Sequence, residues 1–564
     1  MSEVTLTHPQ LTDSQPNDPT QSDNRSEQPM SQPTLQGNHV NINPLTGIEH
    51  QVKFMPGTEA IIYENDRYSY AELYREYRAM AQLMLANGVS ADDRVVYLGQ
   101  NSINYVTTML ACWQLKAVFV PFNFRLAPRE MDELMTQAEP VMMVVEPSHQ
   151  AEVETLAGYQ TALPEVKYVL VDDDPYTKVK PNPADFWLYA SREKAAVQDV
   201  ALPVTPYVAD DDLAILMFTS GTTGKPKGVE LTFGNLFWNA VNVDTLVDTR
   251  RGDTNLAVAP LFHIGGLNAL FLRLLVRGGR SVIRRNFDPV QTLKDIEKYH
   301  VNQAFLVPAM LSAMQAQPEF AHTKLDSLRA LICAGAPVPP IVIKQYETKG
   351  VPVQQAWGLT ETAPFATYLP TEHTYTKTGS CGIPMPFTEI KLIDPATLED
   401  IEEADVTGEM LVRGANVTRG YWRNPAAVAS AFTDDGWFRS GDMGYRDADG
   451  YYYIVDRLKD MIVSGGENVY PAEVERVLME YPGVTDAAVV GRPDPKWGES
   501  VVAVVSFEGE DLPTPESVRE FTAKYLARYK LPKELVLTAK VPRNSSGKLD
   551  KLSIRKMVSD IQAD

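Results

Sequence analysis

From about residue 54 to about residue 345, short apolar runs alternate with amphipathic stretches of helical period, and this alternation constrains the fold more than any other feature of the chain. The runs at 95–98, 117–120, 141–145, 167–171, 213–218, 281–283 and 330–334 are apolar almost throughout, as strands covered on both faces must be. Between them, Ser69 and Glu72 offer a capping box for a helix through Leu73, Met80, Ala81 and Met84, stopped by Asn87-Gly88, and further helices are predicted around 106–115 and 130–137. Strand and helix in alternation predict an α/β fold of parallel sheets with helices on both faces.

At 564 residues the chain is too long for one core, and two to four domains are expected. Over 376–457 the texture changes to short β-type runs with Gly, Asp and Pro turns, which predicts a β subdomain. After Asp456-Arg457-Leu458-Lys459-Asp460 comes a small α+β segment: a helix opened by Pro471, strands at 487–490 and 501–507, a helix at 516–527 and a strand at 535–539. Residues 1 to about 40 carry no aromatic side chain and are crowded with polar residues and proline, the composition of a disordered tail without the pattern of a signal or transit peptide.

Basic residues number 52 and acidic residues 73, a formal charge of −21, which excludes bulk-charge wrapping of nucleic acid. An anionic ligand must then meet a local basic site. Cys112, Cys333 and Cys381 stand apart with no metal-ligand spacing, so a reducing cytoplasm is the expected compartment. No apolar stretch is long enough for a transmembrane helix; weak peripheral membrane contact and a homodimer are left open.

The strongest chemical signal is Thr219-Ser220-Gly221-Thr222-Thr223-Gly224-Lys225-Pro226-Lys227-Gly228, directly after an apolar strand. Glycines free backbone N–H groups to face phosphates, hydroxyls donate hydrogen bonds and two lysines neutralise charge. A Walker loop is rejected, because only two residues separate Gly221 from Gly224 and Pro226 follows Lys225.

Here the chain resembles the adenylate-forming superfamily of acyl-CoA synthetases, peptide-synthetase adenylation domains and luciferases. The resemblance extends in order through Pro260-Leu261-Phe262-His263-Ile264-Gly265-Gly266, Ala334-Gly335-Ala336-Pro337, Trp357-Gly358-Leu359-Thr360-Glu361, Ser440-Gly441-Asp442, 456–460, Ser464-Gly465-Gly466-Glu467-Asn468 and Pro542-Arg543-Asn544-Ser545-Ser546-Gly547-Lys548. It covers about residues 50–560. With the polar tail taken as 1–45, it implies an AMP-binding N-terminal domain over 46–457, a hinge at 458–460 and a mobile C-terminal domain over 461–564.

The resemblance also implies roles. Thr219, Ser220, Gly221, Thr222, Thr223, Gly224 and Lys225 would hold the phosphates of ATP, and Gly335, Ala336, Pro337, Gly358 and Thr360 its adenylate. Thr222 and Glu361 would hold Mg²⁺, a hard cation suited to oxygen donors. Trp357 would stack on adenine where Tyr is more usual, and Asp442, an acceptor only, would take the ribose hydroxyls. Arg457 is implied for ribose or phosphate, although pairing with Asp456 or Asp460 at the surface would also explain it. Lys548 would bridge carboxylate and α-phosphate, and Lys459 would be the pivot that exchanges Lys548 for the 464–468 strand.

His263, Gly265, Gly266, Gly358 and Met310 are implied for the acyl pocket, with Gly358 leaving open the volume that a tryptophan fills in acetate-specific relatives. His263 and Met310 would otherwise be plain core. Gly465, Gly466 and Glu467, with Trp497, Tyr529, Lys530 and Lys533, would meet CoA, unless 528–533 is only a solvated helix end. The expected activity is AMP-forming activation of a medium- to long-chain fatty acid to its acyl-CoA, with an aromatic acid second. Loading of a carrier protein or luciferase-type oxygenation would share the same ATP motifs, whereas a binding-only relative would lack Lys548, Glu361 or Asp442.

Overall fold

A computed structural model describes residues 40–156, 166–171, 187–190, 201–219, 226–464, 467–509, 511–544 and 548–561. Two large sheets carry the alternating region. One has seven strands in the order Trp187–Ala190, Lys167–Val171, Met142–Val145, Arg94–Leu98, Val118–Phe122, Leu213–Thr219 and Lys227–Thr232, parallel except for the last. The other has nine strands. Six of them, Val353–Trp357, Ala330–Cys333, Gln303–Leu306, Thr254–Ala257, Arg280–Ile283 and Glu59–Tyr63, run parallel, and antiparallel strands close both edges. The predicted fold class is thus observed, with the parallel strands divided between two sheets.

The capping box forms as read: Ser69 caps the helix Tyr70–Ala86, and Glu72 answers its backbone N–H. Order begins earlier than the composition suggested. Asn43 caps the helix Pro44–Phe54, whose Leu45 and Ile48 are fully buried, so the last residues assigned to the polar tail belong to the core. The rest of the tail lies outside the described residues. The apolar run 117–120 extends into the strand Val118–Phe122, which contains Pro121. It is tolerated because the strand pairs with Leu213–Thr219 only at Phe119↔Ile215, so the missing N–H costs no ladder bond on that side.

The two large sheets are joined by a buried ionic knot beyond their strand ends. Arg285 donates from Nη2 to Glu146 Oε2 at 2.8 Å, from Nη1 to Tyr63 Oη at 3.0 Å and from Nε to Gln100 Oε1 at 2.9 Å, while Tyr97 donates to Glu146 Oε1 at 2.9 Å. Glu146 is fully buried, so deleting its partner leaves an uncompensated charge. Arg285→Met should cost about 3–5 kcal/mol in chemical denaturation, and the double variant Arg285→Met/Glu146→Gln should recover most of that loss.

The β subdomain is a four-stranded antiparallel sheet of Thr388–Ile393, Gly408–Gly414, Phe438–Arg446 and Tyr452–Arg457. A one-turn helix, Leu458–Asp460, leads into a five-stranded sheet flanked by Pro471–Leu478, Pro515–Thr522 and Lys551–Asp560. The helix read over 516–527 ends at Thr522, and Lys551–Asp560 escaped the sequence reading. Among the described residues no helix is long and apolar enough to cross a membrane.

Candidate active site

The cleft is built where strands end. Leu213–Thr219 and Lys227–Thr232 pair antiparallel with Thr219 opposite Lys227, so the two ends of the Ser/Thr/Gly segment are held side by side. Ser220, Gly221, Thr222, Thr223, Gly224 and Lys225 lie outside the described residues, as do Gly465 and Gly466. Gly335 follows the strand Ala330–Cys333 with a φ of +93°, a left-handed conformation that favours glycine, and Gly335, Ala336 and Pro337 are exposed at the strand end.

Val353–Trp357 delivers the next motif. After it, the one-turn helix Thr360–Thr362 turns the Glu361 carboxylate inward, and Thr360 is half-buried at its start. Tyr421 donates its hydroxyl to Glu361 Oε1 at 2.9 Å, and the backbone N–H of Thr418 donates to the Glu361 carbonyl at 2.7 Å. The Lys227 ammonium sits 4.8 Å from the Tyr421 ring centroid. Burial raises the Glu361 pKa, opposed by its hydrogen bonds and by Arg457 and Lys227. A desolvated carboxylate held by one hydroxyl is a fitting oxygen donor for a hard cation arriving with nucleotide.

Asp442 lies directly across the ladder from Arg457, and Arg457 Nε stands 2.5 Å from Asp442 Oδ1. This cross-strand pair replaces the surface pairing with Asp456 or Asp460 that the sequence left open. Asp456 instead accepts from the backbone N–H of Ala472 at 2.6 Å, and Asp460 pairs with Arg555 at 3.0 Å. Burial raises the Asp442 pKa, opposed by Arg457, Trp357, Lys548 and Lys459.

Lys548 comes into this cleft from the small domain, its backbone tied to Asn544 by two hydrogen bonds of 2.8 and 3.0 Å. Desolvation and then Arg457 lower its pKa, opposed by Asp442 and Glu361. Water reaches the side chain, which moderates the effect. Lys459, exposed on Leu458–Asp460, acts electrostatically on both Asp442 and Lys548. Lys548, Glu361, Asp442, Arg457, Lys459 and His263 thus form one electrostatic cluster.

His263 caps the short helix Ile264–Asn268 with its ring 4.4 Å from that of Phe262, which in turn meets Phe124 edge-on at 5.5 Å. Desolvation in the cleft, then Lys548 and Arg125, push its pKa down from the usual imidazole range, which favours the neutral ring. Met310, half-buried at the start of Pro308–Gln315, borders a cavity shared with Phe124, Arg125 and Pro260.

The three glycines implied for the acyl pocket, Gly358 as open volume among them, have another reason to be glycine. A Cβ on Gly358 would stand 1.9 Å from the Pro364 carbonyl oxygen, and one on Gly266 2.3 Å from that of Pro260, so these two permit close backbone approach and expose no free pocket. At Gly265 a Cβ would meet the Phe305 ring at 2.6 Å: the glycine's space is taken by an aromatic side chain. Gly358→Ala should therefore destabilise the protein by about 1–3 kcal/mol through overpacking, seen as a lowered thermal midpoint, with no gain for longer acids.

On the small domain, Trp497 is exposed with the Lys496 and Lys533 ammonium groups 4.9 and 4.6 Å from its ring centroid. Tyr529 and Glu467 are also exposed. Lys530, assigned to CoA from sequence, is bound to both Glu473 carboxylate oxygens at 2.8 and 2.7 Å, so its charge is already met. Sequence reasoning missed Tyr421, Phe305 and Arg125. The first sits in the aromatic turn Gly420-Tyr421-Trp422, a signal that was present; the others depend on packing between distant strands.

Residues 48–422 match the model of the AMP-binding enzyme family, and residues 473–548 match that of the AMP-binding enzyme C-terminal domain. The chain is 39% identical over 508 residues to a feruloyl-CoA synthase from Amycolatopsis sp, covering 90% of this chain and 97% of that protein. It is 38% identical over 513 residues to an indoleacetate–CoA ligase from Aromatoleum aromaticum, covering 91% and 97%. The fold matches o-succinylbenzoate CoA synthetase from Bacillus subtilis in complex with an acyl-adenylate intermediate, with a TM-score of 0.78, 29% identity and coverage of 91% and 98%.

Proposed function

This chain belongs to the AMP-binding enzyme family and is an AMP-forming acid–thiol ligase, and we propose that its substrate is an aromatic carboxylic acid of arylacrylate or arylacetate type. The order of substrates expected from sequence is thereby reversed. The observation that carries the reading is the Phe305 ring, which takes the space over Gly265 and lies 6.2 Å from the buried Phe365 ring, so that the volume a long alkyl tail would need beside this glycine is already filled by aromatic side chains. The named activities of the feruloyl and indoleacetate relatives support the same class.

In the first half-reaction a substrate carboxylate oxygen attacks the α-phosphorus of ATP, the bond to the bridging oxygen breaks and pyrophosphate leaves with that electron pair. Lys548 places an ammonium group beside the attacking oxygen and the α-phosphate, where charge develops. Asp442 accepts from the ribose hydroxyls. Glu361 with Thr222 would hold Mg²⁺, which neutralises phosphate charge when bound. Neutral His263 stands at the pocket mouth, where a protonated ring would trap the carboxylate in a ground-state ion pair.

In the second half-reaction CoA thiolate attacks the acyl carbonyl, the bond to the phosphate oxygen breaks and AMP leaves. Lys459 turns the small domain between the two steps, removing Lys548 and bringing up 464–468. Trp497 with Lys533 offers an aromatic face and positive charge to the nucleotide end of CoA.

A panel of acids from acetate to palmitate with ferulate, coumarate, benzoate and indoleacetate, assayed with Mg·ATP and CoA by mass spectrometry, tests the reading. Aryl-CoA products should exceed palmitoyl-CoA by at least about 10-fold, the scale on which a pocket separates ill-fitting apolar groups. Dominant palmitoyl-CoA would return the fatty-acid reading, and acyl-AMP without thioester would point to a carrier protein as acceptor.

A further inference from the structure

The Trp357 side chain carries a polar atom as well as a ring. Its Nε1–H donates to Asp442 Oδ2 at 2.7 Å, while the other carboxylate oxygen is held by Arg457. Indole nitrogen is a donor only, and both residues are almost wholly removed from water, Trp357 at 7% and Asp442 at 4% exposure. The indole cannot swing away, because it packs with Ala366, Cys381, Met410, Val412 and Tyr452, and its backbone is paired with Thr367. Asp442 is equally confined: its N–H donates to Ser440 Oγ, which donates on to the Met410 carbonyl.

We propose that Trp357 is a positioning residue for ribose recognition: its indole N–H, fixed by the nine-stranded sheet, sets the plane of the Asp442 carboxylate carried by the β subdomain. Each carboxylate oxygen has about two lone-pair sites. With Trp357 on one oxygen and Arg457 on the other, one lone-pair direction per oxygen remains, the arrangement that two adjacent ribose hydroxyls require. The role is separate from adenine stacking, which uses the ring face and does not need the N–H. The inference rests on the reading of Asp442 as the ribose carboxylate.

The test separates face from N–H and inference from premise. Trp357→Phe keeps an aromatic face and removes the donor; a second variant places 3-benzothienylalanine at 357 in the full chain, preserving shape while sulfur replaces the N–H. For each, kcat/KM of pyrophosphate exchange is measured with ATP, 2′-deoxy-ATP and 3′-deoxy-ATP, alongside wild type and Asp442→Asn. Wild type should prefer ATP, and both Trp357 variants should lose about 10-fold or more of that preference, the scale of a hydrogen bond to a charged group.

Equal losses for ATP and the deoxy nucleotides, with the wild-type ratio intact, would overturn the inference and leave Trp357 a stacking residue. If wild type fails to discriminate and Asp442→Asn behaves like it, the assignment of Asp442 falls and takes the inference with it. Should Trp357→Phe fold poorly, the near-isosteric variant alone decides.

Discussion

Lys548→Ala is expected to slow acyl-adenylate formation by at least about 10²–10³-fold, while thioester formation from supplied acyl-adenylate and CoA continues near the wild-type rate. The split follows from where the lysine stands. Its ammonium shares the cleft with Asp442, Arg457, Glu361 and His263, and in the proposed sequence of steps the carboxylate and α-phosphate meet there, with the small domain carrying the lysine away before the second half-reaction. Pyrophosphate exchange reads the first step and thioester absorbance the second. Equal loss in both would refute the division of labour.

Lys459→Pro should show the opposite pattern: pyrophosphate exchange persists, while thioester formation falls by about 10²-fold, the cost of holding a reacting group out of place. Lys459 is the second residue of the one-turn helix Leu458–Asp460, whose hydrogen bond runs from the Met461 N–H to the Arg457 carbonyl. Proline is tolerated in a first helical turn, so the present arrangement, with Lys548 in the cleft, should survive. What proline removes is rotation about φ of residue 459, the freedom a pivot there needs. Unchanged overall turnover would refute the pivot.

Periodicity made the strands legible because parallel strands buried on both faces leave nearly unbroken apolar runs, as at Val118–Phe122 and Met142–Val145. Capping chemistry at Ser69 was legible for a local reason, two side chains three residues apart. Gly358 was misread because a glycine's purpose is decided by what approaches it, here the Pro364 carbonyl from a turn six residues on. Tyr421 and Glu361, 60 positions apart, meet only through the fold, as do Trp357 and Asp442 at a separation of 85. Lys530 looked free because its partner, Glu473, lies on another helix.

In the proposed reaction a substrate carboxylate oxygen becomes bonded to the α-phosphorus before CoA arrives. Turnover of an ¹⁸O-labelled aryl carboxylate with Mg·ATP and CoA, read by mass spectrometry of the nucleotide, tests it most directly. One labelled oxygen should appear in AMP for each aryl-CoA formed; label in pyrophosphate or phosphate, or unlabelled AMP beside the thioester, would refute the acyl-adenylate route.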